Sequence, residues 1–455
     1  MTALPNYFLA DLPPEATLTP ALLTEACRTL KHNRGQYLAT RTTEQIVRVI
    51  SQVAEGWLQP GSDFRKLALA DGPRATGFSR GTLERGLEAS FKQLTHENLR
   101  ALLARDLGDP RRLDEMVSAP GEEKHSRAAL VRGPEFLVHI CAGNIPNPAL
   151  TSMVLGLLTR SAQFVKCASG ASFLPRLFAH SIYDSDHKLG ACLEVAEWRG
   201  GDAAIENALF AEADCVTATG NTETLTAIRA KLPVTTRFLG YGHRVSFGYV
   251  TAEVLSGFGV KKNAAAAAGD VVAWDQLGCL SPHVIYAQSG GAVSPELFAQ
   301  MLAEELAKRE ASEPRGVVSP TIAARIASLR GIYEVRAAHS PGTQLWCSEA
   351  STAWTVVYEA DARFQKSCLH RFIYVKPVRD LADLLRNADV VRSQVSTVGL
   401  AADEDNVKDV ATQLGRWGAT RVCPIGQMQN PPLTWRHDGR PALGELVTWA
   451  DFEGL

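Results

Sequence analysis

Residues 136–168 read FLVHICAGNIPNPALTSMVLGLLTRSAQFVKCA, and this stretch decides the fold of the chain. It opens with a short apolar run, 136–140, continues with a helix-compatible segment from Asn147 to Thr159, and closes with a second apolar run, 162–168. A strand, a helix and a second strand in this order form a βαβ unit with parallel strands. The stretch therefore predicts a parallel sheet with helices on both faces.

The same alternation continues along the chain, and a second alternating block begins near Val250. The further strands that we predict are 191–198, 214–220, 236–241, 283–287, 331–337, 354–360 and 371–378. The predicted helices are 43–58, 79–94, 96–107, 222–231, 263–277, 295–309, 320–328, 379–387 and 404–416. Two α/β blocks joined near residue 245 predict two lobes with a cleft between them.

The composition is that of an ordinary soluble globular protein, with 455 residues, 45% hydrophobic residues and a net charge of −2. Near-zero charge gives no reason to expect a nucleic-acid partner. The longest apolar stretch, 149–158, is too short to span a membrane, and the N-terminus lacks the pattern of a secretory signal. Nine scattered cysteines without a CxxC pair predict free thiols in a reducing cytoplasm and no bound metal.

Cys279 is the first candidate for chemistry, in the segment AWDQLGCLSPH (273–283). It follows an alanine-rich helix and Gly278, and a Ser-Pro turn comes after it. A cysteine on such a turn can present both its sulfur and its own backbone N–H, which are a nucleophile and half of an oxyanion hole. Taken alone, the segment also fits a buried structural thiol.

Asn144 is the second candidate, in CAGNIPNPAL (141–150), which follows the first strand. Gly143 allows a tight turn there, and the amides of Asn144 and Asn147 could donate to a developing oxyanion. Asparagine is also a common turn and N-cap residue, so the segment alone leaves both interpretations open.

Two further turns could hold an anion. FVKCASG (164–170) places Lys166 at the end of a strand, and ATGNTET (218–224) leads through Gly220 into a helix. A glycine turn into a helix N-terminus directs N–H groups at a phosphate. A complete G-x-G-x-x-G fingerprint follows none of the strands that we predict, and the nearest approach begins at Gly240.

Taken in order, these segments resemble the aldehyde dehydrogenase superfamily. AGNIP is similar to its Pro-Trp-Asn-Phe-Pro segment, FVKCAS to Val-Lys-Pro-Ser-Glu, ATGNTE to Phe-Thr-Gly-Ser-Thr-Glu and QLGCLS to Gly-Gln-Cys. Within the superfamily, CAGNIPNPAL, WDQLGCLSPH and WRHDGRPALGELVTWADFE (435–453) resemble the LuxC-type fatty acyl-CoA reductase of bacterial luminescence systems. This resemblance covers roughly residues 130–453.

The resemblance implies a two-lobed aldehyde dehydrogenase-like fold, each lobe an α/β sheet with helices on both faces. Residues 1–246 would combine a helical start with a dinucleotide-binding domain, 247–423 would form the catalytic domain, and 424–455 would be a tail for packing or oligomerisation. It also implies a role for individual residues: Cys279 as acyl-accepting nucleophile, Asn144 as oxyanion donor, Lys166 as ribose contact, and Gly220 with Asn221 as pyrophosphate turn.

The chain departs from oxidising aldehyde dehydrogenases in three places. The glutamate that activates water is missing, because neither Asp nor Glu occurs between Glu223 and Glu253. Ser169 replaces the acid that holds the ribose hydroxyls, which removes repulsion toward a 2′-phosphate and favours NADPH as cofactor. FQKSCLHRF (364–372) stands in place of the Glu-x-Phe-Gly-Pro segment, so the residue that holds the nicotinamide ribose is not identified.

His243 and Arg244 are a candidate contact for the cofactor or for a CoA phosphate, whereas His139, His283 and His370 fit core or surface positions. We therefore expect an NADPH-dependent reduction of a fatty acyl thioester to the aldehyde through an acyl-Cys279. The donor would be acyl-CoA or an acylated partner protein. Alternatives are aldehyde oxidation, acyl transfer or thioester hydrolysis by the same cysteine, and a non-enzymatic scaffold. We also expect a homo-oligomer, with an acyl-activating or acyl-transferring enzyme as a further candidate partner.

Overall fold

The computed structural model describes residues 4–13, 15–125 and 127–454, and all statements below refer to these ranges. Its longer helices are α1 (Pro20–Asn33), α2 (Thr43–Leu58), α3 (Asp63–Thr76), α4 (Arg80–Phe91), α5 (His96–Leu107), α6 (Asn147–Leu158), α7 (Phe173–Ser185), α8 (His187–Gly190), α9 (Ala203–Glu212), α10 (Thr222–Lys231), α11 (Ala252–Ser256), α12 (Val260–Val272), α13 (Pro295–Ser312), α14 (Pro320–His339), α15 (Leu381–Ala388) and α16 (Val407–Trp417). Unnumbered helical segments of the 3₁₀ or π type lie at Leu9–Asp11, Arg34–Leu38, Pro110–Leu113, Glu123–His125, Ala273–Gln276, Asp389–Gln394 and His437–Gly439.

The strands are β1 (Arg127–Arg132), β2 (Phe136–Ile140), β3 (Ala162–Cys167), β4 (Leu193–Glu197), β5 (Cys215–Thr219), β6 (Arg237–Tyr241), β7 (Val245–Val250), β8 (Pro282–Gln288), β9 (Thr343–Cys347), β10 (Thr355–Glu359), β11 (Phe372–Val378), β12 (Val395–Ala401), β13 (Arg421–Pro424) and β14 (Thr448–Glu453). The chain divides into two compact units. The first contains the described residues up to Thr76, then Leu87–Gly242, then the described residues from Pro432 onward. The second contains Gly77–Gly86 and His243–Pro431.

In the described part of the first unit, the main sheet has five parallel strands in the order β4-β3-β2-β5-β6. The chain runs outward from β2 through β3 to β4, and then returns to β5 on the other side of β2. The order of connection therefore reverses between β2 and β5. In open α/β sheets, such a reversal leaves a crevice at the carboxyl ends of the two strands, where ligands bind.

The end of the chain is built into the first unit. β14 pairs antiparallel with β1, from Arg127 opposite Glu453 to Arg132 opposite Thr448. Before it, the ring of His437 stacks on Tyr241, the last residue of β6, with centroids 4.8 Å apart. The expected tail thus contributes a strand and an aromatic contact to the body of this unit.

The second unit's main sheet has, among the described residues, seven strands in the order β13-β12-β7-β8-β11-β10-β9, parallel except for β9. Alternate residues of each strand face opposite helices. Ile285 of β8 packs in a cluster with α12 and α13, whereas Val284 packs in a second cluster with α14, α15 and α16. The predicted α/β sheet with helices on both faces is confirmed.

One predicted strand, 331–337, is wrong, because this segment lies inside α14. Its isoleucine, tyrosine and valine are typical of strands, which explains the error. The buried positions of α14, however, are Ile326, Arg330 and Tyr333, spaced three and four residues apart as on one helix face. The Arg330 guanidinium anchors this face, because it donates to Thr355 Oγ1 and to the Trp354 carbonyl.

A buried histidine in the first sheet predicts a specific loss of stability in acid. His139 of β2 is 1% exposed and forms hydrogen bonds with Thr217 Oγ1 (2.7 Å) and Gln163 Oε1 (3.0 Å). Burial lowers its pKa from 6.5 to about 4. Between these values the unfolded chain binds more protons than the folded protein, so stability should fall as pH is lowered from 6.5 to about 4, by about 3 kcal/mol for this group.

The measurement is the free energy of unfolding from denaturant titrations at several pH values. We expect the wild-type curve to be steeper than that of His139→Asn below pH 6.5, because the variant lacks the titrating ring. Parallel curves over that range would show that His139 is not the source of the acid sensitivity.

Candidate active site

The first part of the candidate site lies at the carboxyl edge of the first unit's sheet. The Gly143–Asn144 turn follows β2 and the Gly220–Asn221 turn follows β5, so the two turns flank the point where the strand order reverses. Asn144 is exposed in this turn. The structure therefore brings Asn144, Gly220 and Asn221 to the edge at which doubly wound sheets bind ligands.

Gly220 and Asn221 form the entry to α10. The Gly220 N–H donates to the Tyr241 carbonyl (3.1 Å), and Asn221 Oδ1 accepts the N–H of Thr224 (2.8 Å), which caps the helix. A Cβ added at Gly220 would lie 3.1 Å from Thr224 Cγ2, so a larger residue would crowd the turn. The arrangement is a glycine turn followed by the N-terminus of a ten-residue helix.

Lys166 lies at the end of β3, next to β2, and its side chain is largely buried. Its Nζ sits over the Trp198 ring, 5.5 Å from the centroid. Burial lowers the pKa of this amine, and the nearby Glu206 carboxylate acts in the opposite direction. A lysine held in this way supplies a positive charge at the edge where β3 ends.

Ser169 is exposed in the turn after β3, and Glu197 holds this turn in place. The Glu197 carboxylate, at the end of β4, accepts the backbone N–H groups of Gly170 (2.5 Å) and Ser172 (3.1 Å). Both of its oxygens are therefore engaged with the protein backbone. Ser169 itself presents a hydroxyl where a carboxylate would add negative charge.

Cys279 belongs to the second unit and lies on a turn directly before β8, at the amino edge of that sheet. Its thiol is half-buried, and none of the nine cysteines, all of which lie in the described ranges, forms a disulfide. Its carbonyl accepts a hydrogen bond from Ser246 Oγ (2.8 Å), and the Ser281 N–H donates to the Gly278 carbonyl (3.0 Å). The backbone on both sides of the sulfur is thus fixed by hydrogen bonds.

The segment before Cys279 is held in a strained conformation. Trp274, Asp275 and Gln276 have φ values of 50°, 50° and 65°, in the left-handed region that non-glycine residues rarely adopt. A second left-handed run, at residues 369–371, lies before β11. Each such residue costs about 1–3 kcal/mol, so both runs need support from the surrounding structure.

A buried ion pair joins the two strained runs. The Arg371 guanidinium, 1% exposed, donates through Nε to Asp275 Oδ1 (2.9 Å) and through Nη1 to Glu310 (2.8 Å). Asp275 Oδ2 accepts the Gly316 N–H (3.0 Å). Because both Asp275 oxygens are occupied, the carboxylate closest in sequence to Cys279 serves the fold rather than proton transfer.

His243 and Arg244 lie in the second unit, just before β7. His243 is exposed, and Arg244 Nη1 donates to the Ser393 carbonyl (2.9 Å). The structure thus places these two residues in the same unit as Cys279, while Asn144, Lys166, Ser169, Gly220 and Asn221 belong to the first unit.

Sequence reasoning missed Asp275, Arg371 and Glu197. Asp275 and Arg371 are 96 residues apart, and although each lies in a segment quoted above, nothing local indicates that they pair with each other. Glu197 could have been found, because it is a carboxylate at the predicted end of a strand that neighbours Lys166.

A family model described as acyl-CoA reductase (LuxC) matches residues 38–449. The chain belongs to this family. Among its curated relatives, long-chain acyl-protein thioester reductase 2 of Photobacterium leiognathi is 25% identical over 428 residues, which cover 90% of this chain and 83% of the relative. The long-chain acyl-protein thioester reductase of Aliivibrio fischeri is 24% identical over 420 residues, covering 90% and 82%. The resemblance that the motifs indicated is confirmed.

Solved structures show the same fold. An NAD-dependent benzaldehyde dehydrogenase from Corynebacterium glutamicum matches with a TM-score of 0.70 and 14% identity, over 96% of this chain and 91% of that one. An NADP-dependent glyceraldehyde-3-phosphate dehydrogenase from Bacillus halodurans, solved with NADP, matches with a TM-score of 0.69 and 14% identity, over 96% and 92%. The chain therefore has the predicted aldehyde dehydrogenase-like fold. None of its described helices is long and apolar enough to cross a bilayer.

The ion pair between Arg371 and Asp275 predicts a large effect of a single substitution. Arg371→Met leaves a buried carboxylate without its partner and should lower the free energy of unfolding by about 3–5 kcal/mol. The matched control is Arg379→Met, because Arg379 pairs with Asp383 at the surface (76% exposed side chain) and should cost less than about 1 kcal/mol.

The double variant Asp275→Asn/Arg371→Met should recover part of the loss, because it removes the unpaired charge. Denaturant unfolding of the four proteins measures these differences. Equal effects of Arg371→Met and Arg379→Met would contradict the role of the buried pair.

Proposed function

We propose that this protein reduces a fatty acyl thioester to the aldehyde through a thioester on Cys279, with NADPH as cofactor. One observation carries the proposal: Cys279 lies on a turn fixed at the amino edge of its sheet, while both oxygens of Asp275 are already bonded. A thiolate on such a turn can accept an acyl group, and a carboxylate whose two oxygens are already bonded does little to activate water against it. Membership in the acyl-CoA reductase family supports the same reaction.

Cys279 begins the proposed reaction. Its thiolate attacks the carbonyl carbon of the donor thioester, and the tetrahedral oxyanion forms. Asn144 and the Cys279 N–H donate hydrogen bonds to this oxyanion, and loss of one such donor typically lowers kcat by about 10²–10³. The donor's thiolate then leaves, which transfers the acyl group to Cys279.

The described residues of the first unit fit a dinucleotide with a 2′-phosphate. The Gly220 turn and the N-terminus of α10 are suited to a pyrophosphate. Lys166 and Ser169 are suited to an adenosine ribose that carries a 2′-phosphate. The Glu197 carboxylate is already bonded to two backbone N–H groups, and the Ser169 hydroxyl adds no negative charge that would repel the phosphate. Bound NADPH would supply the hydride that reduces the acyl group on Cys279. Collapse of the resulting thiohemiacetal releases the aldehyde and returns the free thiol.

The donor in this proposal is acyl-CoA or an acylated partner protein, and the names of the relatives, acyl-protein thioester reductases, favour a protein-bound acyl group. Assembly into a homo-oligomer, or with an acyl-transferring enzyme, stays a prediction, as does a reducing cytoplasm as the compartment.

Acyl trapping tests the nucleophile. Labelled acyl-CoA without NADPH should label the wild-type protein, and later addition of NADPH should release the label as aldehyde. Cys279→Ala should stay unlabelled. Cys347→Ala is the matched control, because Cys347 is another half-buried free thiol of the same unit, and this variant should label like the wild type.

Equal labelling of Cys279→Ala and wild type would remove Cys279 from the mechanism. Steady CoA release without consumption of NADPH would identify a thioesterase instead. Oxidation of aldehyde to acid, without reduction of thioester, would identify an ordinary dehydrogenase.

Ser169 tests the choice of cofactor. Ser169→Glu places a carboxylate beside the expected 2′-phosphate, so KM for NADPH should rise about tenfold or more while KM for NADH stays the same or falls. Ser169→Ala keeps the site uncharged and should change the ratio of the two KM values little. A tenfold rise in KM for both NADPH and NADH in Ser169→Glu would contradict recognition of the 2′-phosphate at this position.

A further inference from the structure

Basic side chains gather at the amino ends of neighbouring strands in the second sheet. The strands β12, β7, β8 and β11 are adjacent and parallel, so they begin at one edge. His243 and Arg244 precede β7, His283 lies at the start of β8, and Lys366 is in the segment before β11. Cys279 precedes β8 at this edge too. The candidate nucleophile and the basic residues therefore share one edge of one sheet.

Hydrogen bonds connect the segments that carry these basic residues with one another and with the segment before β12. Lys366 Nζ donates to Gln394 Oε1 (3.2 Å), and Arg244 Nη1 donates to the carbonyl of the adjacent Ser393 (2.9 Å). The N–H of Ser367 donates to His283 Nδ1 (3.0 Å). The loop that carries Lys366 is thus fixed next to both β7 and β8.

The charges in this cluster do not cancel. Burial, followed by the positive charges of His243 and Lys366, lowers the pKa of His283 to about 4. Burial, followed by Lys366, also lowers the pKa of the exposed His243. Over the described residues, no carboxylate contributes to either shift. Both shifts favour the neutral imidazole, so the positive charge at this edge is that of Lys366 and Arg244.

Lys366 differs in this respect from other cations of the second unit. Arg363, Arg371 and Arg379 each form an ion pair with an aspartate. Lys366 is exposed and donates to a neutral amide, and an ammonium group has three N–H donors. Such a lysine can bind an anion from solution without first breaking an ion pair within the protein.

We propose that Lys366, together with His243 and Arg244, binds a phosphate group of the acyl donor's leaving thiol. This inference rests on the proposed function, because the donor must bring its thioester to Cys279. The ligand class is a phosphorylated pantetheine thiol, and the source is CoA or the phosphopantetheine arm of a carrier protein. The features suited to the dinucleotide phosphates belong to the first unit's sheet, which favours the donor over NADPH as the ligand of this cluster.

The test compares thioesters that have the same acyl chain but different leaving groups, with the full-length protein and NADPH. Lys366→Glu should raise KM for acyl-CoA about tenfold or more, because it replaces a charge-assisted hydrogen bond with repulsion. KM for acyl-pantetheine, which has no phosphate, should stay within about twofold of wild type, as should KM for NADPH. Lys366→Gln should show a smaller change in the same direction.

Lys261→Glu is the matched control. Lys261 is an exposed lysine in the first turn of α12, which follows the carboxyl end of β7, so the same change of charge is made at the opposite edge of the sheet. Its KM for acyl-CoA should not change. Acyl-dephospho-CoA, which lacks the 3′-phosphate, identifies the phosphate that Lys366 binds. If Lys366→Glu raises KM for this substrate as much as for acyl-CoA, the ligand is a phosphate next to pantetheine. If KM for this substrate does not change, the ligand is the 3′-phosphate and the donor is therefore CoA.

Three outcomes would overturn the proposal. An equal rise in KM for acyl-CoA and acyl-pantetheine would mean that Lys366 only supports the structure. A rise in KM for NADPH would assign the cluster to the cofactor. An unchanged KM for acyl-CoA in Lys366→Glu would exclude phosphate binding by Lys366. Labelling of Cys279 by acyl-pantetheine separates the two proposals. If acyl-pantetheine labels the wild-type protein but one of the three outcomes above occurs, only the proposed phosphate site is wrong. If acyl-pantetheine does not label the wild-type protein, the proposed function is wrong.

Discussion

The second unit depends on the buried ion pair between Arg371 and Asp275, which holds the segment before Cys279. The pair joins two runs of left-handed residues, one leading to Cys279 and the other leading to β11. Gln276 strengthens the link, because its Nε2 donates to the carbonyls of Pro282 and Phe372. Neither run would keep its conformation without partners of this kind, since the strain of several left-handed residues exceeds the strength of an ordinary surface contact. The segment before Cys279 is thereby held by an ion pair between residues 96 positions apart in the chain.

The same ion pair has a chemical consequence. A carboxylate that is bonded to a guanidinium and to a backbone N–H is poorly suited to take a proton from water. The second unit thus uses the acid that is closest to Cys279 in sequence for structure. In the first unit, Glu197 is occupied in a similar way by the turn that contains Ser169. In both places the fold itself occupies both oxygens of a carboxylate.

Sequence patterns predicted those features that depend on local chemistry. Apolar runs of strand length marked β2, β3, β5 and β8, and the spacing of apolar residues marked α2. The pattern was misleading in α14, where β-branched residues lie on the exposed side of a helix. Motif resemblance selected Cys279 and Asn144, whose local surroundings alone did not distinguish catalytic from structural roles. The pairing of β1 with β14 and the contact of Asp275 with Arg371 join distant segments, so no local pattern could indicate them.

The first unit is discontinuous, because its last strand, β14, follows the whole main part of the second unit in the chain. During synthesis on the ribosome, β1 emerges more than three hundred residues before its partner strand. The five-stranded sheet of this unit can form early from its consecutive strands, while β1 must wait for its partner until the main part of the second unit has been synthesised. Completion of the first unit is thus coupled to synthesis of the second.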